Sequence, residues 1–176
     1  MNTKRLRILL IALIGLTPVI NGCSYSLSLN SVSIPVTMKT VRVDFIENTA
    51  PLVVPTLSQN FTEALKTRIR NTTRLSIVRG EADGVFSGNI TDYNISPVSI
   101  QATNNNVAPI AGASRLTITV RIKYVYDADK KYSFEDTFTK SEDFTGAIAD
   151  HEATLVADIT KQLTEDIFNK AFASNW

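Results

Sequence analysis

From Arg115 to Tyr126 the chain alternates without a slip. Leu116, Ile118, Val120, Ile122, Tyr124 and Tyr126 fall on one side, and Arg115, Thr117, Thr119, Arg121 and Lys123 on the other. Successive side chains of a strand point to opposite faces, so this run belongs in a sheet that buries one face and keeps the other polar. Asp127-Ala128-Asp129-Lys130-Lys131 supplies a hairpin turn into a partner strand with Tyr132, Phe134 and Phe138 on its apolar side. Whatever meets the second face must be water, a partner or a polar ligand. Arg42, Asp44 and Thr137 are expected on that same face.

The remaining elements follow from the same two periodicities. Val41, Val43 and Phe45 alternate with Arg42 and Asp44, which predicts a strand with one buried side. Pro51 and Pro55 bracket a loop, and Thr56-Leu57-Ser58-Gln59 fits a capping box, with Pro55 as the other candidate for the first helical residue. Phe61, Ala64, Leu65 and Ile69 share a helix face through about Asn71. Lys66, Arg68 and Arg70 complement the negative end of that helix. Strands are predicted over Arg74–Arg79 and about Val85–Ile95, then a long loop over 96–113 containing Asn104-Asn105-Asn106. A last helix, about Ala149–Ala173, repeats Leu155, Ile159, Leu163, Ile167 and Ala171 at every fourth position. The expected fold is α+β: a two-layer sandwich with two helices packed on one face of a mostly antiparallel four- to five-stranded sheet. It occupies one domain, 39–176.

Composition matters most at the N-terminus. Lys4, Arg5 and Arg7 precede about a dozen apolar residues, from Ile8 to Ile20, which reads as an export signal over 1–22. The stretch is shorter than the roughly 20 residues a membrane span needs. Ile20-Asn21-Gly22-Cys23 then resembles a bacterial lipobox, in which the cysteine is acylated and becomes the first residue of the mature chain. Ser24 after the cysteine favours the outer membrane, by its similarity to lipoprotein sorting signals. Residues 23–38 are Ser-rich and read as a lipidated tether running into an edge strand. With Cys23 spent on the anchor and one His in the chain, no disulfide, structural zinc or Cys–His pair is expected. Of eighteen basic residues three leave with the signal, so fifteen face seventeen acidic ones. That balance predicts no nucleic-acid surface, and any anion binding must come from a local cluster.

Val43-Asp44-Phe45-Ile46-Glu47-Asn48, Pro51-Leu52-Val53 and Leu57-Ser58-Gln59-Asn60-Phe61-Thr62-Glu63-Ala64-Leu65 resemble the LptE family of lipopolysaccharide-assembly lipoproteins. Arg115-Leu116-Thr117-Ile118-Thr119-Val120 and Glu165-Asp166-Ile167-Phe168-Asn169-Lys170-Ala171, closing on Asn175-Trp176, fit the same family, in a branch distant from the enterobacterial one. The resemblance implies a non-enzymatic lipoprotein on the periplasmic side of the outer membrane. There it plugs and helps assemble the LptD β-barrel and assists lipopolysaccharide transport to the cell surface. It implies no cofactor. Lipopolysaccharide carries phosphates, and Arg115, Arg121 and Lys123 form the candidate contact to it or to the barrel. Two other readings stand beside this one: a lipid-anchored module for another envelope component, and a lipoprotein enzyme. The enzyme lacks a nucleophile–base–orienter set in the sequence. His151 reads as a surface helix residue, and Asp127 and Asp129 as turn residues rather than calcium ligands.

Overall fold

A computed structural model describes residues 34–52, 54–98 and 112–173, all within the unit Ser31–Trp176. The signal segment, Cys23, most of the tether, most of the 96–113 loop and Trp176 lie outside the described residues.

The strands are β1 (Thr40–Val43), β2 (Glu47–Asn48), β3 (Ser76–Ile77), β4 (Gly84–Pro97), β5 (Ala113–Tyr126) and β6 (Phe134–Thr145). The helices are α1 (Leu57–Thr72) and α2 (Glu152–Phe172). They build a six-stranded mixed sheet in the order β3-β1-β4-β5-β6, with β2 beside β4. The long strands β4, β5 and β6 are antiparallel, whereas β1 runs parallel to both β3 and β4. β1, α1 and β3 thus make a small crossover unit attached to a long antiparallel meander. Helix α1 packs on β1, β2 and β3, α2 packs on β5 and β6, and the two helices pack on each other. This is the α+β architecture expected from the alternation, with one strand more than the four to five predicted.

The inner face of β5 is the centre of the core. Leu116, Ile118, Val120, Ile122 and Tyr124 are fully buried, in one cluster with Leu57, Phe61, Leu65 and Ile69 of α1 and Ile159, Leu163, Ile167 and Ala171 of α2. Phe86, Tyr124 and Phe172 form an aromatic knot, with the first two ring centroids 4.5 Å apart and Phe172 about 6 Å from each. Leu155, placed on the core face by its spacing, is only half-buried against the core, in the first turn of α2, which begins at Glu152 rather than Ala149. A turn of 3-10 helix, Ile148–Asp150, fills the difference.

Three local expectations are corrected. Phe45 does not continue the buried side of β1. The strand ends at Val43, Phe45 is 60% exposed, and Ile46 enters the core in its place. The exchange is held by the Ile46 amide, which donates to Thr62 Oγ1 at 3.1 Å while that hydroxyl donates to the Ser58 carbonyl of its own helix. The capping box does not form either. Thr56 has helical rather than extended φ/ψ, and its side chain caps nothing; the turn before the helix closes instead through the Leu57 amide onto the Val54 carbonyl. The strand predicted over Arg74–Arg79 shrinks to Ser76–Ile77.

Gly88 in β4 sits opposite Ile122, and a Cβ there would collide with the Arg121 carbonyl oxygen. Two residues on, the β4–β5 register shifts between Ile90 and Asp92, so both Ile90 and Tyr93 reach the core. At the other end of the hairpin, Asp83 ties the start of β1 to the turn before β4. Its Oδ2 accepts from the Lys39 and Thr40 amides and the Thr40 hydroxyl at 2.8–2.9 Å. Those donors, the Lys39 amide foremost, hold the Asp83 carboxyl below its ordinary range.

Candidate functional site

The outer face of β4–β5–β6 carries the side chains that the alternation placed there, and register puts them in rows. Across β4, β5 and β6 the rows are Ser96–Arg115–Asp143, Asn94–Thr117–Ser141, Asp92–Thr119–Thr139, Asn89–Arg121–Thr137 and Ser87–Lys123–Glu135. Hydroxyls and amides dominate, with no apolar side chain among these fifteen positions. Two of the rows close on themselves: Thr117 Oγ1 lies 2.8 Å from Ser141 Oγ, and Thr119 Oγ1 lies 3.0 Å from Thr139 Oγ1. Such cross-strand hydroxyl pairs stabilise the sheet and leave spare donors and acceptors for whatever meets the face.

The three candidate cations are not one cluster. Arg115 is clamped in a two-point bridge to Asp143, Nε to Oδ1 at 2.6 Å and Nη2 to Oδ2 at 3.0 Å. The guanidinium hydrogen bond is the chief reason the Asp143 carboxyl is held below its usual range and the Arg115 guanidinium above. Arg121 lies six residues further along β5, roughly 20 Å at strand rise. It faces Thr137 and Asn89 with no carboxylate in its row, and Lys123 beside it faces Glu135 and Ser87. Both are exposed. The available positive charge of this face is therefore Arg121 and Lys123, while Arg115 is already partnered.

The inner side of the edge strand β6 is charged in a way the sequence reading missed. Lys140 bridges Asp166 of α2 at 2.8 Å, Lys170 of α2 bridges Asp136 at 3.4 Å, and Gln162 donates to Glu142. Asp136, Lys140 and Glu142 interrupt Phe134, Phe138 and Phe144 on one face of the strand, which was the available signal. Inward-pointing charge of this kind blunts an edge against pairing with other strands.

Elsewhere the chemistry is sparse. Among the described residues no group of His, Cys, Asp and Glu is arranged to hold a metal ion. His151 is exposed at the start of α2, its ring 6.3 Å from that of Phe144. Tyr93 donates to Glu152 at 2.7 Å, and burial first, then this carboxylate, push its phenol up. A groove of about 970 Å³ runs between the outer sides of α1 and α2, past Ala64, Thr67, Ala157 and Thr160. Among the described residues no helix is long and apolar enough to cross a membrane.

Comparison with known proteins places this arrangement. No curated protein matches the chain. Solved structures do match. Rare lipoprotein B from Shewanella oneidensis aligns with a TM-score of 0.52 and 14% identity, covering 74% of this chain and 92% of that one. An uncharacterized lipoprotein B from Nitrosomonas europaea aligns at 0.51 and 16%, covering 85% and 90%. A hypothetical protein from Chlamydia trachomatis aligns at 0.54 and 9%, covering 76% and 98%. At these identities the likeness is one of fold. The family model described as LptE, lipopolysaccharide-assembly, matches residues 38–171, which is nearly all of the described fold. The chain belongs to the LptE family of lipopolysaccharide-assembly lipoproteins.

Proposed function

We propose that this chain is a lipid-anchored outer-membrane lipoprotein that plugs an LptD-type β-barrel, helps it assemble, and assists passage of lipopolysaccharide to the surface. The observation that carries the reading is the outer face of β4–β5–β6, where five rows of hydroxyls, amides and charges span three strands with no described helix over them. The lumen of a large outer-membrane barrel is polar and wet. A plug inside it needs a firm core and a surface able to trade hydrogen bonds with water for hydrogen bonds with the wall. Arg121 and Lys123 supply cations there for acidic wall residues or for lipopolysaccharide phosphates, and Arg115 presents its bridged guanidinium at the far end of the same strand. Cys23 holds the chain at the membrane through acyl chains, two or more of which make a stable anchor.

The test is affinity purification of the chain from outer membranes solubilised in mild detergent. A β-barrel partner should come down with it, and Arg121→Glu with Lys123→Glu should reduce its recovery without lowering the thermal midpoint of the chain. Recovery of the chain alone, with surface lipopolysaccharide unchanged after its depletion, contradicts the proposal.

A further inference from the structure

A second charged region lies at the opposite end of the sheet, around the crossover unit. From Ala64 to Gly80 the sequence holds Lys66, Arg68, Arg70, Arg74 and Arg79 and not one acidic residue, in a mature chain that is mildly acidic overall. Arg68 turns away to bridge Glu165 of α2. Lys66, Arg70 and Arg79 instead line a pocket of about 490 Å³ together with Arg42, Phe45 and two carboxylates, Asp44 and Glu63. The pocket sits beside the segments that leave the carboxyl ends of two parallel strands, Asp44-Phe45 after β1 and Val78-Arg79 after β3. In open α/β sheets ligands bind outside the carboxyl ends of the parallel strands.

The cations fall into two kinds. Arg42 is fixed, its Nε on Asp44 at 2.8 Å and its Nη1 on the Gly80 carbonyl at 3.1 Å, and Lys66 is fixed on Glu63 at 2.8 Å. The guanidinium groups of Arg70 and Arg79 are exposed and enter no hydrogen bond or salt bridge among the described residues, although Arg70 stands close enough to Glu63 to help Lys66 lower that carboxyl. Arg42 and Lys66 thus answer the two carboxylates of the hollow, and the two open guanidinium forks left over are suited to a phosphate. The apolar lip is the further clue. Phe45, displaced from the core by Ile46, stands 60% exposed at this pocket. An exposed ring beside open arginines fits an interface with apolar depth below a layer of negative charge.

We propose that, in the lipid-anchored chain before it enters a barrel, this pocket docks the domain on an anionic phospholipid surface, with a head-group phosphate among Arg70, Arg79 and Arg42 and the Phe45 ring at the level of the glycerol backbone. The proposal rests on the lipid-anchor reading in one respect. A tether over 23–33 reaches at most roughly 37 Å, so the anchored domain stays within reach of the bilayer and a weak contact is well populated.

The experiment uses the full mature lipidated chain with Phe45→Trp and Trp176→Phe, which leaves one indole, at the pocket, reconstituted in nanodiscs with brominated acyl chains. Acylation is checked first by mass. A chain without the acyl mass is tethered instead through an N-terminal His tag on a nickel-chelating lipid, so the pocket is read whether or not the anchor exists. The indole emission should be quenched about twofold or more in phosphatidylglycerol discs relative to phosphatidylcholine discs. Arg70→Glu with Arg79→Glu should return the quenching to the phosphatidylcholine level. High salt should do the same on the chain with both arginines intact, which covers the case of a misfolded double variant. Equal quenching in the two lipids, or no response to charge reversal and salt, overturns the proposal. So does an equal change in the indole emission on adding inorganic phosphate to phosphatidylcholine discs, since the pocket would then take a small anion rather than a lipid surface.

Discussion

The two faces of β5 are made by one stretch of backbone and do opposite work. On one face Leu116, Ile118, Val120, Ile122 and Tyr124 lie beneath the helical layer with no exposure at all. On the other, Thr117 and Thr119 pair with hydroxyls of β6, Arg115 is clamped to Asp143, and Arg121 and Lys123 reach outward. Apolar burial is undirected and adds up over area, so the inner face determines whether the chain folds. Hydrogen bonds exchanged with water contribute little net stability, so the outer face is free to be shaped for what it touches. Stability and recognition should therefore separate by substitution, face by face.

The largest effect belongs to the inner face. Phe86→Ala removes a fully buried ring from the Phe86–Tyr124–Phe172 knot and should cost about 3–5 kcal/mol in urea unfolding. Next is Gly88→Ala, which forces a Cβ against the Arg121 carbonyl and should cost about 1–3 kcal/mol, with hydrogen exchange quickening along β4 and β5. If Gly88→Ala is neutral, the close approach of these strands is wrong.

Asp83→Asn tests the join between the parallel and antiparallel parts of the sheet and should cost about 1–2 kcal/mol near neutral pH. The sign of its pH dependence follows from the depressed carboxyl. The native stabilisation is complete above the unfolded value, near 3.8, and is lost as pH falls through the lower folded value. The gap between native chain and variant should thus narrow under acid, and urea midpoints at about pH 7 and about pH 3 measure it. A gap that widens under acid contradicts the assignment. The smallest change in stability, within about 0.5 kcal/mol, is expected for Arg121→Glu with Lys123→Glu on the outer face. An equal loss of stability there would erase the distinction between the faces.

The sheet's long strands are legible in the sequence because they repeat one rule many times. β5 alternates over its whole length, and the turn at Asp127–Lys131 is marked by acids and lysines, one of which, Asp129, accepts from the Lys131 amide. The crossover region is less legible for physical reasons. β2 and β3 have two residues each, too few to show a period, and they exist because β4 and β1 offer parallel edges. The replacement of Phe45 by Ile46 in the core depends on Thr62, sixteen residues away, and no local pattern reports it. The polar face is legible as a face, but its charge is not. Arg115 looks like part of a cationic cluster until register places Asp143 across from it. Assigning the α1 cations to the helix dipole alone suits Arg70 by position but leaves its shared pocket with Arg79 unexplained.

Site-specific photocrosslinking in cells tests the central claim most directly. Crosslinkers placed at Thr119, Arg121 and Thr139 probe the outer sheet face, with Thr67 and Lys161 on the outer sides of α1 and α2 as the comparison. Adducts to an outer-membrane β-barrel are predicted from the three sheet positions. No barrel adduct from that face, with adducts from the helix positions alone, would contradict the plug.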